Sequence, residues 1–114
     1  MSNDSTLPVI PVTVTVEDNH GVYNVVYDPD PVPVAGEAVL LHYTLDSTDW
    51  VFGTISFGPP FSDLEIISPT EFTIQDAGGD QGTFAFSVQL VTAAAHRGQQ
   101  EQIDTDPEVK NGPP

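Results

Sequence analysis

Strict period-two alternation, proline- and glycine-rich breaks about every ten residues, and almost no helical spacing predict an all-β fold. The specific expectation is an antiparallel two-sheet β-sandwich of about seven strands, with a barrel as second choice. At 114 residues the chain suits one core and is short for two. Residues 9–111 are therefore read as a single domain, residues 1–8 as a flexible tail and 112–114 as a frayed end.

Val12, Val14 and Val16 alternate with threonines as the first strand, and Pro8 and Pro11 protect its edge. Asp18-Asn19-His20-Gly21 is turn chemistry, so Val22 to Tyr27 returns as the second arm of a hairpin. Asp28-Pro29-Asp30-Pro31-Val32-Pro33 lacks alternate amide donors and reads as an extended crossover. Strand three spans Glu37 to Leu45, with Val39, Leu41, Tyr43 and Leu45 on one face. Asp46 to Asp49 turns the chain into Trp50–Phe57, a strand with bulky apolar residues on both faces.

Two short apolar pieces, Leu64 to Ile67 and Phe72 to Ile74, flank Ser68-Pro69-Thr70. The turn 76–82 precedes the longest late strand, Thr83 to Thr92. Residues 93–100 read as a loop. Gln102-Ile103 and Glu108 to Lys110 offer one more strand, interrupted by Pro107.

Charge narrows the partners. Seventeen acidic residues face two basic ones, Arg97 and Lys110, for a net charge of −15. Such a field repels phosphate backbones and anionic lipid heads, so nucleic acid and membrane partners are not expected. With no cysteine, disulfides, thiolate metal sites and a thiol nucleophile are excluded. The N-terminus has neither a positive region nor an apolar one, and no apolar run approaches the roughly 20 residues of a spanning helix. A soluble cytoplasmic protein is the expectation.

Gly36-Glu37-Ala38-Val39-Leu40-Leu41-His42-Tyr43 resembles the second strand of an immunoglobulin-like domain, and Asp80-Gln81-Gly82-Thr83-Phe84-Ala85-Phe86 resembles its aspartate-glycine-tyrosine-cysteine strand. The resemblance implies an immunoglobulin-like sandwich. Phe84 stands where that pattern has tyrosine, and Tyr43 and Phe86 stand where it has cysteines, which sets the chain apart from antibody-type domains. Asp28-Pro29 and the closing Asp106-Pro107-Glu108-Val109-Lys110-Asn111, together with length and acidity, resemble the small bacterial proteins called the DP-EP family. That resemblance implies a bacterial cytoplasmic β domain and carries no activity.

No catalytic set emerges. His20, His42 and His96 share no metal-binding spacing, and no serine sits in a nucleophile elbow. The sharper site is for calcium, which takes six to eight oxygens and which clustered aspartates in loops can hold. Asp28 and Asp30, and Asp76 and Asp80 around Gly78-Gly79, are the candidate ligands, with Asp46 and Asp49 a further pair. Asp is equally a plain turn residue, and no cofactor is required. Trp50, Phe52 and Phe61 flank Gly58-Pro59-Pro60 as a candidate aromatic interface for a sugar or a protein. The expected function is a non-enzymatic interaction or structural module that self-associates as a homo-oligomer. A small-ligand binder, for calcium or carbohydrate, is the alternative.

Overall fold

In the computed structural model, residues 7–79, 81–93 and 101–112 are described. They form eleven strands: β1 (Val9–Asn19), β2 (Val22–Asp28), β3 (Val32–Val34), β4 (Val39–Leu45), β5 (Trp50–Ser56), β6 (Phe61–Ser68), β7 (Glu71–Asp76), β8 (Gly82–Ala85), β9 (Ser87–Thr92), β10 (Gln102–Thr105) and β11 (Glu108–Asn111). One sheet runs β2-β1-β4-β7-β6, a second β10-β9-β5 and a third β3-β11-β8. The protein is all-β. The expectation of about seven antiparallel strands in two sheets is corrected to eleven strands in three sheets with mixed pairing.

Most of the added strands come from interruptions. The late strand breaks at Phe86 into β8 and β9, and its partner breaks at Pro107 into β10 and β11. Register is nevertheless kept across the break, with Glu108 opposite Ala85 and Thr105 opposite Val88. The Phe86 N–H reaches the Pro107 carbonyl at 3.4 Å. A proline cannot donate to a ladder, so the hairpin bends there without slipping.

Parallel pairing enters twice, between β1 and β4 and between β3 and β11. β1 is eleven residues long, enough to pair with β2 along one edge and with β4 along the other. The proline crossover after β2 then carries the chain to β3, an edge strand beside β11, which is where a proline-bearing strand is tolerated. The first turn also differs in detail. His20 and Gly21 supply the two positive φ angles, 55° and 86°, of a two-residue hairpin loop, while Asn19 ends β1.

The core lies between the sheets. Val12, Val14, Leu41 and Phe72 of the five-stranded sheet share it with Val88, Leu90 and Val109 of the others. Tyr43 stacks on Phe72 with ring centroids 4.9 Å apart, and Phe86 meets Tyr43 edge-on at 5.5 Å. Each such fully buried side chain is worth about 1.5–3 kcal/mol in apolar transfer.

Candidate functional site

The inner faces of β1 and β2 run beyond the end of the core. On β1 the inward series Val12, Val14, Val16 continues to Asp18, and on β2 the series Tyr27, Val25 continues to Tyr23. Asp18 and Tyr23 are cross-strand partners, so hairpin register puts a carboxylate and a phenol side by side. The Asp18 Oδ1 atom also accepts the Gly21 N–H at 3.0 Å, which braces the turn.

Opposite them stand the β4–β5 turn and the ends of β9 and β10. Tyr23 meets the Trp50 ring edge-on at 5.1 Å. Its hydroxyl donates to Glu101 Oε1 at 3.4 Å. The backbone holds this rim in place. Ala93 N–H bonds the Asp49 carbonyl at 2.8 Å, Thr92 N–H bonds the Glu101 carbonyl at 3.0 Å, and Ser47 Oγ accepts the Asp49 N–H at 3.1 Å.

Between these elements lies a cleft of about 310 Å³, walled by Tyr23 and Trp50 and rimmed by Asp18, Asp49 and Glu101, with hydroxyls from Ser47, Thr48 and Thr92. The three carboxylates act together on Tyr23: Glu101 foremost, then burial, Asp18 and Asp49 all hold its phenol above the ordinary tyrosine range. All three line the cleft. They do not converge on a point, because among the described residues no three acidic or histidine side chains lie close enough to share a metal ion. Lys110, the basic residue among those described, lies on β11 beside another hollow lined by Pro33 and Val34. Chemically, the cleft suits a cation larger than a metal ion, presented to dispersed negative charge and hydroxyls.

Of the residues singled out from sequence, Asp49 and Trp50 line the cleft and the others are placed elsewhere. Asp28 ends β2 and Asp30 follows in the bend, both exposed. Asp76 is wholly buried at the end of β7, and Asp80 lies outside the described residues. Asp46 is exposed beside the turn that carries Asp49. Trp50 and Phe61 are core residues at 5% and 4% exposure, and Phe52 packs edge-on against Phe72 at 4.8 Å. The aromatic interface expected at Trp50, Phe52 and Phe61 is thus turned inward, and the open indole face needed for a sugar platform is absent. The reason is the crossing of elements: the Phe52 N–H bonds the Pro69 carbonyl at 2.8 Å, seating β5 against the β6–β7 turn. Large apolar side chains are exposed instead at Val9, Val22, Phe57, Ile66 and Ile67.

Sequence reasoning passed over Asp18, Tyr23 and Glu101. Hairpin register could have paired the first two, but Glu101 sits 78 positions from Tyr23 and carried no local signal. His42 bonds Glu71 at 3.0 Å on the outer face of β4, and His20 occupies the hairpin turn, so neither lines the cleft. No protein-family model matches the chain, and no curated protein matches it.

Proposed function

We propose that the protein is a non-enzymatic interaction module whose end cleft receives a cationic group, a lysine or arginine side chain of a partner protein. The observation that carries this reading is that Asp18, Asp49 and Glu101 together rim the cleft walled by Tyr23. The chain's net charge of −15 would draw a basic partner toward it from a distance.

For the fold, the common register of β9 with β10 and of β8 with β11 supports an immunoglobulin-like reading. A second functional reading, self-association through a sheet edge, rests on the edge strand β6 and its neighbouring exposed Ile66 and Ile67. Light scattering that returns a strict monomer at high micromolar concentration removes it.

The single tryptophan makes the main test direct, because Trp50 lines the cleft. A short lysine- and arginine-bearing peptide should change Trp50 emission saturably, more weakly as salt rises, whereas an acidic peptide should not. Replacing Asp49 and Glu101 with Asn and Gln should weaken binding about tenfold or more, the scale of about 1.4 kcal/mol. Equal responses to the basic and acidic peptides, or binding untouched by the double variant, would remove the proposal.

A further inference from the structure

Away from the cleft, β11 ends at Asn111-Gly112, the chain's one Asn-Gly pair. In an open chain that pair reacts with itself. Glycine has no Cβ, so its backbone nitrogen approaches the preceding side chain without hindrance. The deprotonated Gly112 nitrogen attacks Asn111 Cγ, a C–N bond forms, and the side-chain nitrogen leaves as ammonia. Water then opens the resulting succinimide ring at either carbonyl, which leaves aspartate or isoaspartate. Water is the one co-reactant, and no electrons are transferred.

Docked in its sheet, β11 withholds each requirement of that reaction. Asn111 is 2% exposed, which keeps water and base away. Its Nδ2, the leaving nitrogen, donates to Asp76 Oδ1 at 3.1 Å. The attacking nitrogen is held as well, because the Gly112 N–H donates to the Val34 carbonyl at 2.7 Å. Pairing with Val34 on one side and Gly82 on the other fixes the backbone, denying it the rotation that ring closure needs. Asn111 can react only when β11 leaves both neighbours, a local opening of the kind short terminal strands undergo. We propose that Asn111-Gly112 is a self-deamidation site that the fold keeps closed, and that reaction there prevents β11 from docking again.

The second half follows from what the products lack. Either one exchanges the Nδ2 donor for an oxygen and sets a second carboxyl group against Asp76, which is 0% exposed. Burying that group without a donor is unfavourable. Isoaspartate also routes the chain through Cβ, so β11 gains a backbone atom and loses step with β3 and β8. β11 lies between those two strands and carries the wholly buried Val109, so its loss divides the third sheet and opens the core. Ammonia is lost for good, and each completed reaction is a permanent record that the strand once opened.

The experiment holds the whole chain at mildly alkaline pH, folded in buffer and unfolded in guanidinium chloride. Mass spectrometry of fragment 109–114, released by cleavage after Glu108, follows the exchange of amide nitrogen for oxygen. The unfolded chain should react at least about tenfold faster than the folded one. Gly112→Ala is the control: its Cβ meets only the Val34 carbonyl oxygen at 3.6 Å among the described residues, an ordinary contact, so the variant should fold. In guanidinium it should deamidate at least about tenfold more slowly than the natural chain, because the Cβ crowds the attacking nitrogen. Deamidated chain, separated by its added negative charge, should melt several degrees lower than the natural protein or fail to refold, and Asn111→Asp should behave likewise. Equal rates folded and unfolded would overturn the closed site, and equal unfolded rates with and without the alanine would overturn the chemistry. A deamidated chain that melts with the natural one would overturn the loss of docking.

Discussion

Three tyrosines sit at three depths in this protein, and their hydroxyls have different surroundings. Tyr23 faces the acidic cleft. Tyr27 is mostly buried, and burial, opposed by its 2.6 Å hydrogen bond with Thr105 Oγ1, pushes its phenol from 10.0 up to about 12. Tyr43 has no exposed surface, its hydroxyl has no partner among the described residues, and burial pushes its ionisation still higher. A raised phenol means the native state favours the neutral form. The resulting stability is fully present below pH 10 and is lost as pH climbs, for Tyr27, through about 12. For Tyr27 this amounts to about 2–3 kcal/mol, at 1.36 kcal/mol per unit. Absorbance at 295 nm should therefore show Tyr43 ionising only as the protein unfolds. Tyr27→Phe should flatten the fall in stability between pH 10 and about 12. A variant with the same slope as the natural chain would show that another group drives alkaline unfolding.

Among the elements, the turn after β7 is the one whose shape is most constrained. Gly78 holds a φ of +73°, which a side chain adopts only at a cost, and a Cβ there would overlap the Glu37 carbonyl just before β4. The turn's own Asp76 caps the Gly78 N–H, so any shift of Gly78 disturbs the buried carboxylate as well. Gly78→Ala should destabilise by more than about 2 kcal/mol, combining left-handed strain with the steric overlap. Gly21, also at positive φ, has open space around the missing Cβ. Gly21→Ala should therefore cost only the conformational part, about 1 kcal/mol. Denaturant midpoints for the two variants give the comparison, and equal losses would contradict the close approach at Gly78.

Over the whole molecule, charge and shape act together. Seventeen carboxylates against two basic side chains are spread along a body 52 Å long and 29 by 21 Å across. Screening reaches about 10 Å at 0.1 M salt, so added NaCl quiets most of the repulsion between them. The melting temperature should rise by several degrees between low salt and about 0.5 M NaCl, while affinity of the cleft for a basic peptide falls. The opposite signs separate the two effects: a stability curve flat in salt would mean that the carboxylates lie too far apart to strain the fold.

What the sequence determined by itself was the local part. Alternation in Val12-Thr13-Val14-Thr15-Val16 and in Val39 to Leu45 placed strands and their inward faces, since side-chain direction in a strand depends only on odd or even position. Even the interrupted last strand was visible in Gln102-Ile103 and Glu108 to Lys110, because proline's missing donor is a property of one residue. Pairing partners were not visible in this way. The parallel contact of β1 with β4, the inward turn of Trp50 and Phe61, the link of Tyr23 to Glu101 and the meeting of Asp76 with Asn111 each join residues far apart in the chain. Such contacts depend on how faces compete for one shared core, and that competition is settled only when the whole chain packs.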